Sequence, residues 1–169
     1  QEKVQDSTKS NKLEDVIVTA TRVKDNSPFA FSTLKKEALS TTNLGQDLPI
    51  LLDQMPSVVT TSDAGIGVGY TGMRVRGSDA TRVNVTINGI PYNDAESHGT
   101  FWVNMPDFAS SVEDIQLQRG AGTSTNGSGA FGASLNLRTL KPSTEGYATI
   151  SNSIGSFGTR KHTLSLGSG

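Results

Sequence analysis

The sequence has no cysteine, little net charge and no long apolar run. Its 169 residues include 15 Lys and Arg, 16 Asp and Glu, two His and an aromatic content of 6%. Without cysteine there is no disulfide framework, thiolate nucleophile or cysteine metal site. A net charge of -1 gives no electrostatic reason to bind nucleic acid. No apolar run approaches the roughly 18 residues of a membrane-spanning helix.

The remaining residues offer little for catalysis or for metal binding. His98 and His162 are the only histidines, and no carboxylates fall at ligand spacing around them, so we predict no metal site. No nucleophile and base pair or carboxylate dyad stands at a meaningful spacing, and we expect neither an enzyme nor a bound cofactor. No charged-then-apolar leader opens the chain, so we expect any signal peptide to have been removed.

The most informative stretch runs from Val112 to Thr139, VEDIQLQRGAGTSTNGSGAFGASLNLRT. Asp114 to Gln118 and Leu135 to Arg138 each alternate apolar and polar residues, which predicts two half-buried strands. Between them the backbone is expected to bend sharply or to pass close to another surface, because the connection is rich in glycine. These glycines are Gly120, Gly122, Gly127, Gly129 and Gly132.

Two patterns within this stretch resemble nucleotide-binding motifs, but the residues around them exclude nucleotide binding. Gly127 to Gly132 fits GxGxxG, but that fingerprint requires a following helix whose N-terminus holds the pyrophosphate, and here an alternating strand follows. Gly122 to Gly127 has the spacing of a phosphate loop, but Ser128 and Gly129 stand where Lys and Ser or Thr are needed. We therefore predict no nucleotide site.

The same stretch resembles the signature of the plug domain of TonB-dependent outer-membrane receptors, IERIEVIRGPxSxxYGxGAxGGVINIxT. The spacings are intact, and the departures are Ala121 for Pro, Asn126 for Tyr and Ala133 for the second Gly. The matching residues are Val112 to Ile115, Arg119, Gly120, Ser124, Gly127, Gly129 to Gly132 and Leu135 to Thr139.

Near the N-terminus, Leu13 to Arg22 (LEDVIVTATR) is rich in β-branched residues, which predicts an extended segment. Alone it could be an ordinary strand. Beside the plug signature, residues 14–20 resemble the TonB box, and the resemblance implies that TonB adds to them as an extra strand through main-chain hydrogen bonds. The implied TonB-binding residues are Asp15, Val16, Ile17, Val18, Thr19 and Ala20.

Between these stretches, the pattern predicts a strand over Phe29 to Leu34 and a short helical turn over Lys35 to Leu39. A helix capped by Asp47 and ended by Pro56 would bury one apolar stripe. The stripe consists of Leu48, Leu51, Leu52 and Met55.

Further strands are predicted on both sides of a glycine-rich loop, Ser62 to Gly72. Val58 to Thr61 precedes the loop, and Met73 to Gly77 after it resembles the plug's IRG element. Val83 to Ile87 alternates as a strand, and Asn88-Gly89 is a strong hairpin turn signal.

Aromatic residues concentrate in a second long loop, Pro91 to Phe108. Such a ring cluster suits a flat or aromatic metal chelate. The other reading is that the rings anchor the loop on the core, which we favour for Phe108. The candidates for ligand contact, including one from the earlier loop, are Tyr70, Tyr92, His98, Phe101 and Trp102.

Several arginines lie on or beside the polar faces of predicted strands. On a free-standing domain they would be solvated and would contribute little. The resemblance implies that in a plug some of them pair with carboxylates of the inner barrel wall. The candidates for such a plug–barrel latch are Arg74, Arg76 and Arg119.

After Pro142 the sequence takes the alternating pattern typical of transmembrane barrel strands, over Tyr147 to Ile154 and again around Leu164 and Leu166. This part resembles the first barrel hairpin of the family. The expected division is a flexible N-terminal segment over 1–26, a plug over 27–141 and the first strands of a truncated barrel over 142–169.

The sequence thus predicts an α+β fold, a small mixed-sheet plug with short helices followed by the start of an antiparallel transmembrane β-barrel. The resemblance implies a plug inside an outer-membrane barrel with a periplasmic N-terminus. TonB, driven by the ExbB–ExbD motor, would power uptake of an iron siderophore, haem or cobalamin. The alternative is a non-transport β-rich ligand-binding or protein-interaction module that shares the plug fold.

Overall fold

The computed structural model of the protein describes residues 22–24, 26–122, 124–127 and 129–169. The TonB-box prediction, residues 14–20, lies outside this part of the chain. The helices are α1 (Lys36–Thr42) and α2 (Leu48–Leu51). The strands are β1 (Phe31–Lys35), β2 (Val58–Ser62), β3 (Thr71–Val75), β4 (Val83–Ile87), β5 (Ile90–Pro91), β6 (Val112–Arg119), β7 (Ala133–Thr139), β8 (Tyr147–Ile154) and β9 (Arg160–Gly167). Neither of these helices is long and apolar enough to cross a membrane.

A five-stranded sheet in the order β1-β6-β7-β4-β5 forms the centre of the fold. β6 pairs antiparallel with both β1 and β7, whereas β4 pairs parallel with β7, so the sheet is mixed. Two separate antiparallel hairpins, β2–β3 and β8–β9, accompany it. The predicted α+β fold with a small mixed sheet and short helices is confirmed, as is the strand after the glycine-rich turn.

One face of the central sheet forms the hydrophobic core. Ile115 and Leu117 of β6 and Leu135 and Leu137 of β7 are at most 1% exposed. The helices, the β2–β3 hairpin and the segment before β6 pack against this face. The alternation of the signature stretch therefore correctly predicts which residues enter the core.

The opposite face is polar and is buried as well. Gln116 and Gln118 are 4% and 0% exposed, so the prediction that this strand is half-buried was wrong. The reason is that this face has a cover: Val23 bonds to Gln116, and Asn126 of the glycine-rich turn bonds to Gln118. The other buried polar residues of this face are Asn84, Thr86, Asp114, Ser134 and Asn136.

The two helices differ in length from their predictions. α1 continues to Thr42, three residues beyond the predicted turn, and hydroxyls of its polar end bond back to helix carbonyls, as Thr41 Oγ1 does to Ala38 O at 2.8 Å. α2 is only one turn long, and the chain after it continues in tighter turns, with Leu52 N donating to Pro49 O at 3.0 Å. The predicted apolar stripe is nevertheless buried: Leu48, Leu51, Leu52 and Met55.

The cap predicted at Asp47 takes a different form. Asp47 precedes α2, but its carboxylate accepts a 2.9 Å hydrogen bond from Thr71 Oγ1 and makes no capping bond to the described backbone of the helix. Asp47 therefore ties the start of α2 to β3.

The hairpin turn between β4 and β5 is confirmed at Asn88 and Gly89. Their φ angles are 51° and 80°, and two positive values are what a type I′ turn requires. The Asn88 side-chain amide also accepts at Oδ1 from Thr139 N at 3.0 Å and donates from Nδ2 to Thr139 Oγ1 at 2.8 Å. A carboxylate could accept but not donate, so Asn suits this position.

The β8–β9 hairpin has two unlike faces. Thr149, Ser151, Thr163 and Ser165 line a recess against α1, together with Lys161. The opposite face is open to solvent and mostly apolar, with the polar residues Asn152, Arg160 and His162 near the turn. Its residues include Ile150, Ile154, Leu164 and Leu166, which are 65–81% exposed.

Candidate functional site

The long loop after β5 is attached to the sheet by Asn93. Its Oδ1 accepts from Val85 N at 2.7 Å, and its Nδ2 donates to Val83 O at 2.9 Å and to His98 O at 2.9 Å. The Asn93 side chain thus makes hydrogen bonds to the β4 backbone that a neighbouring strand would otherwise make. This gives the loop a fixed starting point on the sheet.

Asp94 shapes the tip of the same loop. Its Oδ2 accepts from Ser97 N at 2.7 Å, Ser97 Oγ at 2.9 Å and Glu96 N at 3.1 Å. Hydrogen bonds from the Ser97 backbone and hydroxyl hold the pKa of Asp94 below its ordinary value, although desolvation opposes them. The main chain closes the turn, because Asp94 N donates to Gly99 O and His98 N donates to Asp94 O, each at 2.9 Å.

The structure brings some of the ligand-contact candidates together and separates others. Tyr92 and Phe101, 37% and 49% exposed, line one shallow recess beside Asp94. His98 is exposed and lines the adjoining recess. Tyr70 is 69% exposed in the β2–β3 loop and lines neither recess.

Trp102 lies in the hydrophobic core and is only 3% exposed. It begins a short 3₁₀ turn, and Phe108 packs partly buried against the same core. Both residues match the reading in which rings anchor the loop. In this structure Trp102 does not face the surface, which removes it from the residues available to a ligand.

The three latch candidates have different surroundings. Arg119 donates from Nη1 to Ser32 Oγ at 2.7 Å and from Nη2 to Phe31 O at 3.3 Å, so its guanidinium lies against β1. The Arg76 guanidinium lies beside the Gly120 backbone, and Arg74 is exposed on β3.

A contact between the N-terminal segment and β6 was not anticipated from the sequence. Val23 N donates to Gln116 Oε1 at 2.8 Å, and Gln116 Nε2 donates to Val23 O at 3.0 Å. Arg22 Nη2 lies 2.5 Å from Asp114 Oδ1. We name these four residues the N-terminal clasp. No local pattern signals it, because its two sides are 93 positions apart at Val23 and Gln116.

A second missed contact joins the β8–β9 hairpin to the rest of the protein. Lys161 Nζ donates to Asp107 Oδ1 at 2.7 Å and to Ser110 Oγ at 2.8 Å. Asn43 Nδ2 donates to the same Asp107 oxygen at 3.0 Å. Burial alone would raise the pKa of Asp107, but the hydrogen bonds from Lys161, Ser110 and Asn43 outweigh it, and the pKa lies below its ordinary value.

Comparison with known proteins agrees with this architecture. Residues 23–134 match the family described as TonB-dependent Receptor Plug Domain. A probable TonB-dependent siderophore receptor, PirA of Acinetobacter baumannii, is 26% identical over 82% of this chain and 20% of its own length. The vitamin B12 transporter BtuB of Vibrio cholerae is 31% identical over 92% of this chain and 25% of its own.

Solved structures share the fold. P. aeruginosa FpvA, bound to iron and a heterologous pyoverdine, superposes with a TM-score of 0.65 at 18% identity, over 88% of this chain and 19% of FpvA. The siderophore receptor PirA gives a TM-score of 0.55 at 23% identity, over 71% of this chain and 18% of PirA. The chain thus spans a quarter or less of each relative. Because the family match covers well over half of its residues, the chain belongs to the TonB-dependent receptor plug domain family.

Proposed function

We propose that this chain is the plug of a TonB-dependent outer-membrane receptor and that it gates energy-dependent uptake of a scarce ligand through a β-barrel. The plug, residues 27–141, occupies the lumen of the barrel that begins at residues 142–169. The N-terminal segment, residues 1–26, faces the periplasm. The proposed uptake requires no catalytic residue.

The observation that carries this proposal is the two-faced β8–β9 hairpin. Its polar face lines a recess against the folded plug, and its opposite, mostly apolar face is exposed. A barrel strand needs this arrangement, because one side faces the lumen and the other faces lipid. The Lys161–Asp107 contact lies on the polar side of the hairpin and supports the proposal that this side faces the plug.

The ligand class follows from the relatives and from the exposed rings. The relatives named above are a siderophore receptor and a vitamin B12 transporter. Tyr92 and Phe101 offer exposed ring faces in one recess, and His98 adds a polar group beside them. We therefore propose an iron siderophore, haem or cobalamin as the ligand, with Tyr70 contacting it from a separate loop.

TonB is the proposed energy-coupling partner, with the ExbB–ExbD motor behind it. Residues 14–20 would add as an extended strand to a sheet edge of TonB. Arg74, Arg76 and Arg119 stay proposed partners for barrel carboxylates. Arg119 is well suited to this role, because its contacts to Ser32 Oγ and Phe31 O use neutral acceptors and no carboxylate in the described part of the chain forms an ion pair with it.

Isothermal titration against the periplasmic domain of TonB tests the coupling step. The full receptor, loaded with cyanocobalamin or a ferric siderophore, is expected to bind TonB. A variant with Val16→Pro and Val18→Pro is expected not to bind, because proline removes the backbone donors that strand addition needs. The matched control places proline outside the box, at Gln5 and Ser7. Equal binding by both proline variants would contradict the assignment of residues 14–20.

Uptake of radiolabelled cyanocobalamin and of ⁵⁵Fe-loaded siderophores by cells that express the full receptor tests the transport step. Uptake of one of these ligands is expected in cells with TonB and none in cells without it. Ligand binding without any TonB-dependent uptake would favour the interaction module over the transporter.

A further inference from the structure

The N-terminal clasp is made by side chains rather than by a strand ladder. Gln116 bonds both the N–H and the C=O of Val23, as a neighbouring strand would, but it does so for this one residue. Arg22 adds an ion pair to Asp114, and the two side chains are 14% and 7% exposed. The clasp is therefore a short, partly buried attachment at the boundary between residues 14–20 and the central sheet.

Release of the clasp would leave no buried charge without a partner. Asp114 also pairs with Arg138, which stands directly opposite it on β7. Removing one partner of a buried ion pair is normally costly because an uncompensated charge stays behind. Here Arg138 remains with Asp114 when Arg22 departs, and Arg22 itself moves into water.

The clasp also sits on the polar face of the sheet. Gln116 and Gln118 belong to this face, whereas Ile115 and Leu117 point into the core and are 0% exposed. Lifting residues 22–23 would wet amide groups that water can hydrogen-bond. Separating the strands would instead expose the core, at a cost that grows with the apolar area. The attachment of residues 22–23 is thus weaker than the sheet to which it is made.

We propose that the clasp is the release point of the plug: a pull on residues 14–20 opens the contacts of Arg22 and Val23 first, and the load then reaches β6. This inference deepens the proposed function and rests on it, because the pull comes from TonB. Asp114 and Gln116 are positioning residues in this scheme. They hold Arg22 and Val23 against the sheet until these residues are loaded.

Two measurements on the full receptor test the release point without TonB. The first is the rate at which a maleimide labels a Val23→Cys substitution, measured above the labelling of the parent receptor; residues 1–169 contain no other cysteine. The second is the first rupture force in single-molecule pulling from a handle attached ahead of residue 14. Adding Gln116→Met, an apolar change of similar volume, should speed labelling by about tenfold and lower the first rupture force.

The matched control is Gln118→Met. Gln118 lies on the same face of the same strand but bonds to Asn126 rather than to Val23. It should change both readouts by less than about twofold. Arg22→Gln should act like Gln116→Met, and Arg22→Lys, which keeps the charge, should restore most of the parent behaviour. These substitutions at Arg22 lie outside the sheet and leave Asp114 paired.

Equal effects of Gln116→Met and Gln118→Met would overturn the proposal, since both would then report general loosening of the sheet. Unchanged labelling and force in Gln116→Met and Arg22→Gln would overturn it as well. Failure of TonB to bind residues 14–20 would overturn the proposed function instead. The two failures are distinguishable because neither clasp measurement uses TonB.

Discussion

Lys161 of β9 and Asp107 of the plug form a 2.7 Å ion pair that joins the exposed hairpin to the rest of the protein. Asp107 has a left-handed backbone, with a φ of 49°. Its carboxylate accepts hydrogen bonds from three donors, one of which is Lys161. Asn43 and Ser110 supply the other two. The hairpin is therefore held in place at a polar point rather than by an apolar interface.

This ion pair predicts a loss of hairpin attachment in acid. Because the folded-state pKa of Asp107 is lowered, the stabilisation is present above the unfolded pKa, near 4, and is lost as pH falls through the folded pKa. Asp107→Asn keeps the left-handed backbone accessible but removes the charge. We expect it to cost about 1 kcal/mol or less at pH 7, since Asp107 is partly exposed, and to lessen the stability difference between pH 7 and pH 3.

Urea unfolding at the two pH values measures this effect. Glu145→Gln is the control, because its carboxylate has no described ion pair. A parent-like pH dependence in Asp107→Asn would show that the Lys161 contact contributes nothing to the acid response.

Asn93 should be the main structural anchor of the long loop. Asn93→Ala leaves Val85 N, on a residue only 2% exposed, without its 2.7 Å acceptor. An unsatisfied buried donor costs about 1–3 kcal/mol, which urea unfolding will detect. The control is Asn104→Ala, an exposed asparagine of the same loop, which should cost less than about 0.5 kcal/mol. Equal losses in both variants would assign the effect to the loop in general.

Local sequence patterns predicted the elements whose signals are local. Alternation placed Ile115 and Leu117 in the core, and Asn88-Gly89 gave the turn. The same alternation was misleading for Gln116. In a strand where apolar and polar residues alternate, the polar residues are predicted to face water. Its partner, Val23, is distant in the sequence, and no local pattern reports the cover that it provides.

The candidate site was predictable only in part for a similar reason. Aromatic density identified the loop, but it could not separate the exposed Phe101 from the buried Trp102, since both are large rings in adjacent positions. Which ring enters the core is decided by the 3₁₀ turn that starts at Trp102 and by its contacts with distant residues. The Lys161–Asp107 contact depends on how the hairpin packs, which the sequence of neither partner encodes alone.

Two glycines of the signature turn should differ in their tolerance of alanine. Gly122 and Gly127 have φ angles of 64° and 74°, so each substitution costs about 1–2 kcal/mol of backbone strain. At Gly122 an added Cβ would also lie 1.7 Å from Nε2 of the fully buried Gln118, whereas at Gly127 it meets no atom of the described residues within 4 Å. Overpacking adds about 1–3 kcal/mol to Gly122→Ala alone. Equal free energies of unfolding for the two variants would refute the close approach at Gln118.

Phe101 and Trp102 provide the sharpest test of the recess as a ligand site. Trp102→Ala removes a ring that is 3% exposed and should lower the free energy of unfolding by about 3–5 kcal/mol. Phe101 is 49% exposed, so Phe101→Ala should change stability by less than about 1 kcal/mol while weakening binding of cyanocobalamin or a ferric siderophore to the full receptor. Urea unfolding and equilibrium titration separate the two effects. Tyr70→Ala removes a ring that is more accessible, at 69% exposure, but lies in another loop, so it shows whether the ligand spans both loops. If Phe101→Ala and Tyr92→Ala both bind with parent affinity, the recess beside Asp94 is not where the ligand sits, and the aromatic loop serves only to anchor Trp102 in the core.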